Sequence, residues 1–311
     1  MQKISCIICT LNEEKNIPDL FESVKEVDEI IVVDHGSTDK TVELAKSLGA
    51  KVIKKEVEVN IPTQEDVNEF THRLGYRPDF KANDKLPNWE KEFNICNRYA
   101  KYDWILWMSG DERIKWDKSK VAPLMDNYDA IFCLYRFSPE INYGTSKLFN
   151  RNKTFWVDML HTIIDGYNIK VIDTKDMEIV QYQDEREYRK KYMAGLEYNF
   201  LQRNDIRSAY NLGKEYHNHL EHEKAIKMFD IYLTKCSFKP EYYQSYVFMS
   251  ANYWDSGNRE KAVYYAMEAL KIDPTKPHPY YLMAQFDGAD PAKYDKWMKI
   301  YESMKGHDII N

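Results

Sequence analysis

Two stretches, CTLNEE (Cys9–Glu14) and EIIVVDHGSTDKTVELAKSLGAKV (Glu29–Val52), decide the fold. Glu29 to Val33 is a short, unalternating β-branched run, the pattern of a parallel strand buried on both faces. Asp34 ends it, a Gly-Ser-Thr-Asp turn follows, and Thr38 to Leu48 has the spacing of an amphipathic helix closed by Gly49. Lys51 to Ile53 reads as the next strand. Upstream, Lys3 to Thr10 is a strand-like run and Ile17 to Lys25 is helical. Downstream, a helix over Trp89 to Ala100 precedes a strand over Trp104 to Met108. This alternation predicts an α/β domain, a mostly parallel, Rossmann-like sheet with helices on both faces. Such sheets bind ligands beyond the carboxyl ends of their strands. Thr10, Asn12, Glu13 and Asp34 all leave strands at that edge. A carboxylate there can accept hydrogen bonds from a base or ribose, and the helix N-terminus offers donors to anions. The plainer alternative is an Asp that caps the next helix.

Two further clusters follow strands. WILWMSGDER (Trp104–Arg113) sets Asp111 and Glu112 at a strand end, and hard oxygen ligands there suit Mg²⁺ or Mn²⁺ bound together with substrate phosphates. SKLFNRNKTFWVDMLHTII (Ser146–Ile164) places His161 near Asp158 after an aromatic-rich strand. Taken alone, a single His is more often a satisfied structural residue than a ligand. Arg136, Lys147, Arg151 and Lys153 form a basic run, either a solvated strand pair or a contact for a diphosphate or anionic acceptor. Between Glu56 and Asn88 the periodicity fails. The stretch reads as a solvated excursion with a short helix or as an acceptor-facing lid.

The chain has 311 residues, of which 43% are hydrophobic and 30% charged, enough for two domains and a sizeable core. Its 44 basic and 50 acidic residues give a formal charge of −6, which excludes a globally basic nucleic-acid binder. No apolar run reaches the ~20 residues of a membrane span, so a cytoplasmic protein is expected. The five cysteines are scattered through apolar segments. Cys6 and Cys9 have CxxC spacing but lie within a strand, which reads as core thiols rather than a metal knuckle.

After about Tyr192 strand signals vanish. SAYNLGKEYHNHLEHEKAIKMFDIYL (Ser208–Leu233) resembles VFMSANYWDSGNREKAVYYAMEALKIDP (Val247–Pro274), with Ala225 and Ala262 in register 37 positions apart. That is close to the tetratricopeptide period of ~34. Ala225, Ala262 and Ala266 permit close helix approach, while Tyr216, Phe229, Tyr253 and Tyr265 fill between helices. A weaker third unit begins near Pro279. The expected organisation is therefore a catalytic domain over 1–190, with 56–88 as a long insertion or lid, and an all-α tetratricopeptide-like domain over 191–311.

Taken in order, the three motif-bearing stretches resemble family-2 glycosyltransferases of the GT-A fold, in the branch of the lipopolysaccharide-core glucosyltransferases. That branch carries T-x-N-E, V-V-D-S-G-S-T-D-x-T, W-x-L-x-L-D-A-D-E, and R-L-F-R-R with V-H-E. Here these read CTLNEE, VVDHGSTDKT, WILWMSGDER and KLFNRNKTFWVDMLHT. The resemblance implies an inverting, metal-dependent transfer of a hexose from a nucleoside-diphosphate sugar, a UDP-hexose foremost. It assigns Thr10, Glu13 and Asp34 to the nucleoside, Asp111 and His161 to Mn²⁺ or Mg²⁺, and Ser109 and Lys147 to donor contacts. The general base is Asp158 or Glu112. This chain departs from the pattern in three places: Ser109 replaces the first Asp of D-x-D, Lys147 the first Arg of R-L-F-R-R, and Thr162 the Glu of V-H-E.

The expected acceptor is a glycan or glycolipid hydroxyl. A peptide is an alternative suggested by the helical tail. A modified nucleic-acid base is another, with His72, Arg73, Tyr76, Arg77, Phe80 and Lys81 as its contacts. The reading from another class is a non-catalytic module that binds nucleotide or a partner protein. Tyr242, Tyr243, Tyr264, Tyr265, Tyr280 and Tyr281 offer a surface for homodimerisation through the tail.

Overall fold

A computed structural model describes residues 2–137, 142–158, 163–182, 189–203, 206–235 and 239–304. The chain divides into two compact units, Met1–Ile61 with Asn83–Tyr188 and Pro62–Ala82 with Arg189–Asn311.

The first unit is built on an eight-stranded mixed sheet. Its strands, with those of two small accessory pairs, are β1 (Ile4–Thr10), β2 (Glu29–Asp34), β3 (Lys51–Lys54), β4 (Val59–Asn60), β5 (Leu86–Pro87) and β6 (Trp104–Ser109). Then come β7 (Glu112–Trp116), β8 (Ala130–Arg136), β9 (Asn142–Asn150), β10 (Phe155–Val157), β11 (Ile163–Asp165) and β12 (Val171–Gln181). The main sheet has the order β3-β2-β1-β6-β9-β8-β12-β7, with β4–β5 and β10–β11 as separate pairs. The first four strands of that order run parallel, as the alternation predicts. Beyond β6 the sheet becomes mixed: β9 is antiparallel to both β6 and β8, and β12 is parallel to β8 but antiparallel to β7.

The helices of this unit are α1 (Ile17–Ser23), α2 (Thr41–Ser47), α4 (Trp89–Cys96) and α5 (Lys118–Val121); α3 (Gln64–Leu74) belongs to the second unit. Strand alternation sorts the core into two layers. Ile4, Cys6 and Ile8 pack with Ile17, Leu20, Phe21 and Ala45 of α1 and α2 on one face. Ile7, Ile31, Val33, Ile105 and Trp107 pack with Cys96 of α4 and Trp156 of β10 on the other. Cys6 thus lies in one layer while Cys9 packs against the other, so the CxxC spacing does not bring the two thiols together.

The second unit contains α3 and seven further helices: α6 (Arg189–Arg203), α7 (Ile206–Asn218), α8 (His222–Leu233), α9 (Lys239–Asp255), α10 (Arg259–Ile272), α11 (His278–Phe286) and α12 (Pro291–Met304). From α6 onward each packs on the next. Ala225, Ala262 and Ala266 are fully buried, as their small size in the repeat suggests, and Tyr216 and Phe229 fill the space between helices. Among the described residues, no helix is long and apolar enough to cross a membrane.

The aperiodic 56–88 stretch is ordered. α3 starts with a capping box, in which Thr63 and Asp66 satisfy each other's backbone N–H, and ends at Gly75 with φ 74°. Phe80 is buried edge-on against Phe70 and Tyr198, and Arg73 stacks on Phe200. These groups are packing elements of the helical unit rather than an exposed platform for bases. α3 is the short helix that the sequence allows within this stretch.

Candidate active site

The carboxyl ends of β1, β2 and β6 meet at one edge of the sheet. Register pairs Thr10 with Asp34 and Cys9 with Ser109, so three distant motifs arrive side by side. Asp34 is buried, and its carboxylate accepts the N–H groups of Gly36 at 3.3 Å and Ser37 at 3.2 Å. It therefore holds its own turn as well as facing the edge. The His35 N–H donates to the Thr10 carbonyl at 3.0 Å, whereas the buried Thr10 Oγ1 has no hydrogen-bond partner.

The loop after β1 is clamped to the turn after β2. Asn12, with φ 57°, accepts the Thr38 N–H at 2.8 Å, and its own N–H donates to Ser37 Oγ at 2.8 Å. The Glu13 N–H donates to Thr41 Oγ1 at 2.7 Å, and the Glu14 N–H donates to Asp39 at 3.1 Å. Asp39 also accepts the Thr41 N–H at 3.0 Å and fixes the start of α2.

Glu13 is buried and accepts from Asn16 Nδ2 at 2.8 Å. Its side chain lies so close to Gly110 that a Cβ there would meet Glu13 Cγ at 2.3 Å. Glycine is required by that approach, which draws the β1 and β6 motifs together.

Asp111 is half-buried. Burial raises its carboxyl above the usual range, the hydrogen bond from Gln181 opposes this, and the charges of Glu112 and Glu13 add to the rise. Gln181 Nε2 donates to it at 2.9 Å. The adjacent Glu112 is only 2% exposed and fully engaged. It accepts the Ser109 N–H at 2.9 Å, the Tyr135 hydroxyl at 2.7 Å, and Lys147 Nζ at 2.9 and 3.2 Å. Behind it, Arg113 donates to the carbonyls of Gly110 at 3.3 Å and Glu112 at 2.8 Å, and to Asn16 Oδ1 at 3.1 Å.

Thr10, Glu13, Asp34, Ser109, Asp111, Glu112 and Lys147 therefore lie on one side of the sheet edge or one bond behind it. Asp158 follows β10, is buried, and has φ 75°. His161 and Thr162, like Cys236, lie outside the described residues. The basic run is largely engaged elsewhere: Arg136 pairs with Glu178 at 2.8 Å, and Arg151 donates to the Asn97 and Ala100 carbonyls at 2.9 and 2.7 Å. Gly110, Arg113, Tyr135 and Gln181 were not singled out by the sequence. Gly110 sits inside the motif and was legible in principle; Tyr135 and Gln181 come from distant strands and carry no local signal.

A divalent cation suits this donor set. Asp111 is a partly desolvated carboxylate among other carboxylates, and Lys147 is already neutralised by Glu112. Among the described residues no group of three ligand-type side chains converges, so Asp111 would need oxygens from a bound diphosphate to complete a coordination shell.

Below the same edge lies a second polar knot. Glu92 is fully buried and accepts from Lys55 Nζ, from the Glu58 N–H at 2.9 Å and from Cys96 Sγ at 3.2 Å, with His35 Nε2 at 3.8 Å. It ties the ends of β2 and β3 to α4.

Residues 5–61 match the family model described as glycosyl transferase family 2. Over 56 residues the chain is 59% identical to an uncharacterised glycosyltransferase of Rickettsia typhi, a match covering 18% of this chain and 19% of that one. Over 76 residues it is 37% identical to the glucosyl-3-phosphoglycerate synthase of Mycolicibacterium smegmatis, covering 22% and 25% respectively. The solved glucosyl-3-phosphoglycerate synthase from Mycobacterium tuberculosis with Mn²⁺ and UDP-glucose aligns with a TM-score of 0.29 and 22% identity, over 43% of this chain and 44% of that one. The matched part of the curated relatives is thus a quarter of their length or less. It is through residues 5–61, the β1–β3 segment that builds the Asp34 edge, that this chain is similar to glycosyl transferase family 2.

Proposed function

We propose that the N-terminal unit is an inverting glycosyltransferase. It moves a hexose from a nucleoside-diphosphate sugar, a UDP-hexose foremost, to a hydroxyl of a glycan or glycolipid. The observation that carries this reading is the convergence of Thr10, Glu13, Asp34 and Asp111 on one sheet edge, with Glu13 packed against Gly110. The Mycolicibacterium relative, named for its glucosyl product, supports a hexose as the transferred group.

In this account Asp34 and the unpartnered Thr10 hydroxyl receive the nucleoside, and the Asn12–Thr38 clamp keeps that pocket open. Glu13 and Gly110 bring the nucleoside edge against the β6 end, where Ser109 contacts the donor. Asp111, with His161 as a second ligand, would hold Mn²⁺ or Mg²⁺. Such an ion would supply positive charge beside the diphosphate when bound. Gln181 and Arg113 set the orientation of Asp111 and its backbone. Glu112 has a donor on each oxygen, so it acts as a positioning residue, and Lys147 contributes positive potential through it. Asp158 takes the proton from the acceptor hydroxyl as that oxygen attacks the anomeric carbon opposite the leaving diphosphate.

The test is release of nucleoside diphosphate from a panel of nucleotide sugars with Mn²⁺, with and without glycan acceptors. Asp111→Asn should lower the rate by about 10²-fold while leaving the melting temperature unchanged. A variant that releases product at the parent rate refutes the assignment. A protein that binds nucleotide but releases nothing with any donor or acceptor favours the binding module instead.

A further inference from the structure

Asn94, on α4, makes three hydrogen bonds with one side-chain amide. Its Nδ2 donates to the carbonyls of Glu90 and Trp156, each at 2.9 Å, and its Oδ1 accepts the Trp156 N–H at 2.9 Å. The bond to Glu90, one turn back on the same helix, fixes which way round the amide sits. In an antiparallel strand the N–H and C=O of one residue point to the same side. Trp156 pairs in register with Ile164 of β11, so Asn94 takes both of its backbone groups on the edge that β11 leaves open. One side chain does for β10 what a further strand would do.

That bond pair matters because β10 is not part of the main sheet: with β11 it forms a separate pair. The rest of its anchorage is the Trp156 indole, 3% exposed and packed against Phe93 of α4 at 5.2 Å and against Trp107 and Phe149 at 5.4 Å. Two residues beyond this fixed point stands Asp158, buried, with φ 75°. A non-glycine residue holds that backbone state only where its surroundings impose it. Glu92, two positions before Asn94 and so about 200° round the helix, grips the donor side. It accepts from Lys55 Nζ and the Glu58 N–H and lies 3.8 Å from Nε2 of His35, the residue after Asp34. One helix is thus tied both to the turn that carries Asp34 and to the strand that carries Asp158.

We propose that Asn94 is a positioning residue: by clamping Trp156 it sets β10, and with it the Asp158 carboxylate, at a fixed separation from the donor edge. This role rests on the transfer reading and on Asp158 as the group that takes the acceptor proton. Asn94 acts through the strand and takes no part in bond making.

The experiment measures UDP release from UDP-glucose with Mn²⁺ by the full chain, and UDP affinity by calorimetry, in a double-mutant cycle of Asn94→Asp and Asp158→Asn. Aspartate keeps the size of the side chain and can still accept the Trp156 N–H, but it cannot donate to either carbonyl. Asn94→Asp should lower kcat by about 10²-fold, the effect of a shift of about 1 Å in a reacting group. It should leave UDP affinity within about twofold and move the acid limb of the pH–rate profile. In the Asp158→Asn background the same substitution should cost less than about twofold, because the group it positions is gone. If melting curves show Asn94→Asp unfolded, Asn94→Ser carries the same cycle. An equal loss in both backgrounds overturns the proposal, as does a fall in kcat matched by lost UDP affinity, which marks a general disturbance of α4. A parent rate in Asp158→Asn removes the base assignment, and no UDP release by the parent removes the transfer reading; either result takes the proposal with it.

Discussion

Replacing Glu112 by Ala removes the centre of the network behind Asp111. Its carboxylate is 2% exposed and takes Lys147 Nζ at 2.9 Å, the Tyr135 hydroxyl at 2.7 Å and the Ser109 N–H at 2.9 Å. The Lys147 side chain is 14% exposed, so its ammonium would be left largely out of water without a partner. Breaking one side of a buried pair costs about 3–5 kcal/mol. Each stranded neutral donor adds about 1–3 kcal/mol where water does not reach it, and these costs overlap. We expect a loss of about 4 kcal/mol, a large share of the ~5–15 kcal/mol that holds a domain folded. Lys147→Met alone should cost less, because Glu112 keeps two donors. The double variant should recover about 2 kcal/mol relative to Glu112→Ala. Urea unfolding followed by tryptophan fluorescence reads this directly, since Trp89, Trp104, Trp107, Trp116 and Trp156 all lie in the first unit. A coupling energy of about 1.5 kcal/mol or more is expected from the cycle. A coupling under about 0.5 kcal/mol would show that the two charges are not a buried, interdependent pair, and the positioning role of Glu112 would fall with it.

Three other outcomes follow from the geometry. Gly110→Ala forces a Cβ to within 2.3 Å of Glu13 Cγ; calorimetric titration with UDP should show binding weakened by about tenfold, and unchanged affinity would mean the two motifs are not joined there. Burial raises Glu197 to about 7, against hydrogen bonds from the Tyr216 hydroxyl and the Asp79 N–H. Because this folded-state value lies above the unfolded one, the helical unit loses up to about 3 kcal/mol as pH rises from about 4.5 through 7. Glu197→Gln should flatten that part of the urea-midpoint profile, and an identical slope in the variant argues against it. For Cys9, burial raises the thiol, but the neighbouring Cys96 and His35 outweigh it and bring the value down to about 7. Iodoacetamide labelling of Cys9 should therefore be half-maximal near pH 7 and shift upward in His35→Ala; a profile centred near the ordinary thiol value contradicts the contact.

The parallel half of the sheet was legible because its strands are buried on both faces and announce themselves as uninterrupted apolar runs. The Asp34 edge was legible for a related reason: glycine, serine and carboxylates directly after such runs can only lie at a carboxyl end. The mixed half was not. β9 (Asn142–Asn150) and β12 (Val171–Gln181) are largely polar, β8 is an apolar run set apart from the βα alternation, and their order in the sheet depends on pairings between residues far apart in sequence. Lys147 shows the same limit at the scale of one side chain. Sequence places a cation near the donor site, but only the register of β9 against β6 and β8 brings it to Glu112. The 56–88 stretch allows a short helix in the sequence but not its burial: Phe70, Leu74 and Phe80 are buried, and Phe80 packs against Tyr198, more than a hundred residues away.

The most direct test of the account is a calorimetric titration of the full chain with UDP and UDP-glucose, with and without Mn²⁺, repeated on Asp34→Asn and Asp111→Asn. The account predicts binding strengthened by Mn²⁺. Asp111→Asn should lose the Mn²⁺ enhancement, and Asp34→Asn should weaken binding whether or not the ion is present. Binding that survives both substitutions intact, or depends on neither nucleotide nor ion, would contradict the assignment of the β1–β2–β6 edge as the donor site.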